Sequence, residues 1–124
     1  MLDIDNFKSV NDTYGHKEGD NVIVALSDLL RETAETHENI SAGRWGGEEI
    51  MLLLEDYDIQ ETVEIAECIR KRFAETSFQK SEHKTVSIGV ICVSEEGTAD
   101  AACIRVDNAL YQAKKNGKNR IVIG

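Results

Sequence analysis

Arg44-Trp45-Gly46-Gly47-Glu48-Glu49-Ile50 (RWGGEEI) sets two adjacent glycines before two adjacent acids, and an apolar run over residues 50–54 follows at once. Residues 40–44 and 48–54 flank the glycine pair. Two short apolar segments joined by two residues read as a β-hairpin, and Gly46-Gly47 tolerates the positive φ that a type I′ turn requires. A turn alone has no use for carboxylates, and a buried strand disfavours them. The purpose of Glu48 and Glu49 is therefore the question the sequence poses.

Outward from the hairpin, the pattern alternates between strand and helix. Residues 2–4 read as a strand end interrupted by Asp3 and Asp5, and residues 6–14 as one or two helical turns. Val22, Leu26, Leu29, Leu30 and Thr33 recur at helical spacing over residues 18–35. Ile59, Val63, Ala66, Ile69 and Phe73 mark a second long helix, and Ala102, Val106, Ala109, Leu110 and Ala113 a third that ends near Gly117. Residues 83–93, β-branched and partly alternating, read as a strand, and residues 120–123 as a closing strand. The order β-α-β-β-α-β-α-β predicts an α/β (α+β) sandwich of ferredoxin-like type, with a central, mostly antiparallel sheet flanked by helices. No internal repeat or low-complexity segment interrupts it. Gly97 falls in a polar loop, residues 94–100, not at a domain boundary.

The chain has 124 residues, the size of one domain. Its formal net charge of −9 argues against non-specific nucleic-acid binding, which needs a basic surface. A small anionic ligand remains compatible with that charge if a divalent metal or a few lysines neutralise it locally. No apolar run approaches a membrane span, and MLDIDNF lacks the basic start and apolar block of a signal peptide. The reading is a soluble, intracellular chain without membrane contact. Cys68, Cys92 and Cys103 are odd in number and widely spaced, without a CxxC pair, and are expected to be buried free thiols. Proline is absent, which leaves turns to Gly, Asn and Asp.

From the residues alone, each candidate site has two readings. Glu48 and Glu49 are neighbours, and on a strand they point to opposite faces, so at most one shares a face with Asp3. If the first strand neighbours the hairpin, Asp3 and one Glu converge, and two carboxylates with a backbone carbonyl suit magnesium. The other reading makes them solvated strand caps. Lys8, Lys114 and Lys118 are candidates for phosphate contact. Lys114 and Lys118, four apart, share a face if both are helical, but lysines at a helix C-terminus also simply complement its dipole. Asn11, His16 and Asp20 surround Gly15 and Gly19; Asn and Asp side chains can read a purine edge, and equally they form turns and caps.

Taken together, residues 2–20 (LDIDNFKSVNDTYGHKEGD), RWGGEEI, residues 86–90 (VSIGV) and residues 109–120 (ALYQAKKNGKNR) resemble, in order and spacing, the diguanylate cyclase domain called GGDEF after its motif. The resemblance covers almost the whole chain. It implies a nucleotidyl-cyclase or polymerase-palm-like fold that joins two GTP molecules into cyclic di-GMP and releases two pyrophosphates. Catalysis would take place between two antiparallel copies of the domain, a homodimer. By this resemblance Asp3, the Ile4 carbonyl and Glu48 hold Mg2+ or Mn2+. Glu48 is also the catalytic acid, Glu49 a second motif acid, and Lys8 a residue near the phosphates. Asn11 and Asp20 read guanine, Phe7 and His16 belong to the nucleotide pocket, and Lys114 and Lys118 contact the terminal phosphates. The implied setting is cytoplasmic, either free or as the cytoplasmic part of a membrane-bound signalling protein, behind a sensory or receiver domain.

The chain departs from the family pattern at identifiable places. Ile50 replaces the usual Phe or Leu, and Lys118 stands where Arg is frequent, which keeps charge but loses bidentate geometry. The family's preceding helix and longer first strand do not occur in this sequence, so residues 1–124 read as a single, N-terminally truncated GGDEF domain. The family's product-binding Arg-x-x-Asp would fall at positions 37 and 40, where this chain has His37 and Ile40. Rival readings are a silent GTP-binding module that regulates a partner domain, a cyclase making mixed dinucleotides (against which Asp20 argues), and an interaction domain without ligand.

Overall fold

The computed structural model describes residues 1–94 and 97–124; Glu95 and Glu96 of the expected polar loop lie outside the described residues. The elements are β1 (Leu2–Ile4), α1 (Phe7–Tyr14), α2 (His16–Thr36), β2 (Ile40–Gly46), β3 (Glu49–Leu54), α3 (Ile59–Glu75), β4 (Val86–Val90), α4 (Ala99–Lys115) and β5 (Ile121–Ile123). The α+β class is as expected. The sheet has the order β2-β3-β1-β4-β5, antiparallel except for the β4–β5 pair. Two helices, not one, separate β1 from β2. Gly15, at φ 89° and ψ 168°, breaks the run between them.

The core lies on both sides of β1 and β4. On one face Leu2, Ile4, Ile50 and Ile88 pack with Val22, Leu26 and Leu30 of α2 and Ile69 and Phe73 of α3. On the other, Met1 packs with Val106 and Leu110 of α4, with Met51 and Ile91 at the margin. The α4 seat is close: a Cβ on Gly89 would come within 2.6 Å of the Leu110 nitrogen and 2.7 Å of the Val106 oxygen. Only glycine lets α4 lie this near β4, and that approach carries Lys114, one turn beyond Leu110, to the end of β1. An Asp58–Glu61 capping box starts α3.

Several sequence expectations change. The strand expected over residues 83–93 is only Val86–Val90. Thr85 just ahead of it spends its hydroxyl on Asp5 instead. The cysteines are free but not buried: Cys68 and Cys92 are exposed and Cys103 is half-buried. Among the described residues, no helix is long and apolar enough to cross a membrane.

Candidate active site

The hairpin is offset by one residue from its expected form. A register irregularity between Arg44 and Gly46 leaves Trp45 unpaired, Gly46 pairs with Glu49, and the two turn residues are Gly47 and Glu48. Gly47 has φ 52°, and Glu48 is not among the positive-φ residues. A single positive φ at the first central position fits a type II′ turn rather than the expected I′. Glu48 is thus a turn residue, and β3 begins at Glu49.

The β1–β3 register decides which acid faces Asp3. On β1, Asp3 is paired with Glu49 on one side and Ser87 on the other, so all three lie on the face covered by α4. Glu49, not Glu48, is the direct cross-strand partner of Asp3. Glu48 acts on this group through space from the turn. Burial raises the Asp3 carboxyl above its ordinary range; the Lys114 ammonium pulls it down, and Glu48 and Asp5 push it up. Glu49 is also raised, by burial first, then by the charges of Asp3, Asp107 and Glu48. Lys114 Nζ lies 2.8 Å from Asp3 Oδ2 and 4.0 Å from Asp5 Oδ1. One lysine therefore faces several acids. The other Asp3 oxygen, Oδ1, is buried with no hydrogen-bond partner among the described residues. An orphaned carboxylate oxygen beside surplus negative charge fits a cation. Among the described residues no three His, Cys, Asp or Glu side chains are gathered as a metal-binding group. A cation here would rest on two carboxylates and the Ile4 carbonyl, with water and substrate oxygens completing its shell.

Asp5, two residues along, was read from the sequence only as an interruption of the strand. It is buried and fully satisfied: Oδ1 accepts from Ser87 Oγ at 2.6 Å, and Oδ2 from Thr85 Oγ1 at 2.8 Å and the Asn119 backbone N–H at 3.0 Å. It ties β1 to β4 and to the loop that carries Lys118. Lys118 does not share a helical face with Lys114, as its spacing suggested. It lies beyond the end of α4 in the left-handed region, φ 64°, and its Nζ donates to Asn6 Oδ1 at 2.7 Å. Arg70 of α3 steadies the same loop by donating to Asn119 Oδ1 at 2.8 Å.

A cleft of about 340 Å3 opens on the opposite face, between α2 and the β2–β3 hairpin. Ile4 and Ile50 form part of its floor, Ile23, Ser27 and Leu30 come from α2, and Gly47 and Glu48 stand at the hairpin end. Glu48 thus belongs both to the cleft and to the acid group. The α1–α2 corner lies beyond Ile23. There Asn11 and Phe7 press on Gly19: a Cβ on Gly19 would sit 1.9 Å from Asn11 Oδ1 and 3.3 Å from Phe7 Cζ. Asp20, the next residue, and His16, one turn before it, are exposed on α2, and Lys8 is exposed on α1. The structure brings Asp3, Glu48, Glu49 and Lys114 together at one end of the sheet, and Phe7, Asn11 and Asp20 at the corner. Lys8 makes no ion pair among the described residues.

The chain matches the family model described as "Diguanylate cyclase, GGDEF domain" over residues 1–120. It is 42% identical to a diguanylate cyclase of Vibrio cholerae serotype O1, over 98% of this chain but 38% of that protein's length. Its fold is similar to the active GGEEF domain of a diguanylate cyclase from Vibrio cholerae, with TM-score 0.88 and 40% identity, covering 98% of this chain and 78% of the other. It is also similar to the GGDEF domain of DgcB from Caulobacter crescentus in complex with c-di-GMP, with TM-score 0.92 and 30% identity, covering 98% and 74%.

Proposed function

The chain belongs to the GGDEF, diguanylate cyclase, family, and on that premise we propose that it condenses two GTP molecules into cyclic di-GMP. The observation that carries this reading is the position of Glu48, shared between the cleft and an acid group with one unpartnered oxygen. In each of two successive steps the 3′-hydroxyl of one GTP attacks the α-phosphorus of the other. A new P–O bond forms, the bond to the β-phosphate oxygen breaks, pyrophosphate leaves, and the hydroxyl proton passes to a base. Glu48, at the cleft edge, is that base, directly or through one water. Asp3, Glu48 and the Ile4 carbonyl would hold a divalent cation, Mg2+ or Mn2+, which would supply positive charge against the triphosphate.

The remaining residues hold the substrate. Lys114 and Lys118, with Lys8, offset charge on the phosphates and the leaving pyrophosphate. Lys118 also stands beside the N-terminus of α1, whose first N–H groups favour phosphate. Asn11 and Asp20 read the guanine edge, Phe7 and His16 shape the pocket, and Glu49 raises the local demand for a cation. A homodimer is required, since each copy holds one GTP. We place the domain, residues 1–124, in the cytoplasm within a longer signalling protein. Incubation with GTP and Mg2+ followed by chromatography tests the proposal: cyclic di-GMP and pyrophosphate are expected, and unchanged GTP would oppose it.

Product feedback is expected to be weak. His37 caps α2, with Nδ1 3.0 Å from the Thr33 carbonyl, and Ile40 offers guanine no acceptor. Calorimetric titration with cyclic di-GMP checks this. Sub-micromolar binding abolished by changes at His37 or Ile40 would contradict it.

A further inference from the structure

Residues 18, 19 and 20 are consecutive near the start of α2 and have different surroundings. Asp20 is exposed, and Gly19 lies against Asn11 and Phe7. Glu18 is buried at 4% exposure, within a sequence, His16 to Asp20, that otherwise reads as a polar helix start. Its Oε2 accepts the backbone N–H groups of Lys80, at 3.0 Å, and Ser81, at 2.6 Å; its Oε1 is 3.5 Å from Asn21 Nδ2. Burial pushes this carboxyl up, and the donors from Ser81, Asn21 and Lys80 outweigh it, so the group stays below its usual range. The segment it grips is a turn between α3 and β4, closed by a bridge between Phe78 and Glu82.

This clasp touches neither the acid group nor the cleft. Its consequence lies in the α1–α2 corner. The N-cap of α2 is Gly15, which supplies no side-chain cap, so the first turn lacks the usual hold against fraying. Glu18 supplies that hold from the side. Gly19 leaves no slack between this turn and Asn11, so movement of the turn is passed directly to the Asn11 side chain.

We propose that Glu18 is a positioning residue for base recognition: by gripping the 80–81 turn it holds the start of α2 so that Asn11 and Asp20 address one base together. The inference rests on the GTP-using reading above. It is tested with Glu18→Ala, Glu18→Asp and Glu18→Gln in steady-state turnover and in binding titrations with GTP and ATP. Glu18→Ala is expected to raise KM for GTP roughly tenfold, the scale of one charged hydrogen bond, with kcat at saturation nearly unchanged. Its preference for GTP over ATP should fall. Glu18→Gln, whose amide oxygen can accept both N–H groups, should recover most of the loss. If Glu18→Ala does not fold, Glu18→Asp, too short to reach the turn, carries the same expectation. A lowered Tm with unchanged KM and unchanged base preference would overturn the proposal and leave Glu18 a purely structural clasp. Wild-type protein that neither binds nor turns over GTP would instead remove the functional reading beneath it.

Discussion

Asp3 and Asp5 stand two residues apart, both within reach of Lys114, yet their surroundings are opposite in kind. Around Asp5 every oxygen is used: two hydroxyls, from Thr85 just ahead of β4 and Ser87 within it, and a backbone N–H from the α4–β5 loop converge on it. Around Asp3 one oxygen has a lysine, the other has no partner among the described residues, and Glu48 and Glu49 add charge of the same sign. A buried carboxylate with a complete set of donors is part of the scaffold. One left short of partners, in a place where burial already penalises it, is held there at a cost in stability that a ligand can recover. Asp3 on β1 thus stands short of partners, while Asp5, just past the end of that strand, is a fastening point that fixes the loop carrying Lys118.

Truncation separates the two. Asp5→Ala leaves Ser87, Thr85 and the Asn119 N–H without their acceptor, and should cost about 3 kcal/mol of unfolding free energy. Asp3→Ala should cost less than about 1 kcal/mol, because Lys114 is partly exposed and can turn to water. Chemical denaturation measures both, and equal losses would erase the distinction. At the corner, Asp20→Ala should raise KM for GTP roughly tenfold while barely changing kcat, because an exposed hydrogen-bonding group is lost without touching the acids. ATP competing as well as GTP in the wild-type protein would contradict that role.

The smallest effect is electrostatic. Glu49 titrates above its ordinary range in the folded protein, so the folded state holds its proton more tightly than the unfolded chain does. Stability therefore falls as pH rises from the ordinary glutamate range through the raised folded value, and the loss persists at neutral pH. Glu49→Gln should remove that slope and gain about 0.5 kcal/mol at pH 7, after allowance for solvent screening. Thermal unfolding followed against pH checks it; a lower Tm in the variant at neutral pH would mean that Glu49 is not crowded by like charge.

The hairpin, the long helices and the meeting of Asp3 with the motif acids were legible in the sequence, because apolar period and glycine placement report them directly. The offset was not. The irregularity at Trp45 shifts the pairing beyond it, Gly46 with Glu49, and hydrophobic alternation cannot register a single unpaired position. That shift puts Glu48 in the turn, while the β1–β3 register sets Glu49 opposite Asp3. Asp5 and Glu18 were missed because their partners lie about 60 to 115 positions away in sequence, and an acid near a strand or helix end looks solvated from its neighbours alone. The helical pairing expected for Lys114 and Lys118 failed because the chain turns left-handed after Asn116. The exposed cysteines show a limit of another kind: composition gives a thiol's usual place, not whether it sits on the outer face of α3, as Cys68 does, or past the end of β4, as Cys92 does.

The account turns on Glu48, which joins the cleft to the acid group. The most direct test is turnover of GTP with Mg2+ by the wild type and Glu48→Gln side by side, with Tm recorded for both. Loss of at least about a hundredfold, the scale of removing one electrostatic catalytic group, is predicted, with Tm unchanged or raised. A Glu48→Gln protein that makes cyclic di-GMP at the wild-type rate would contradict it.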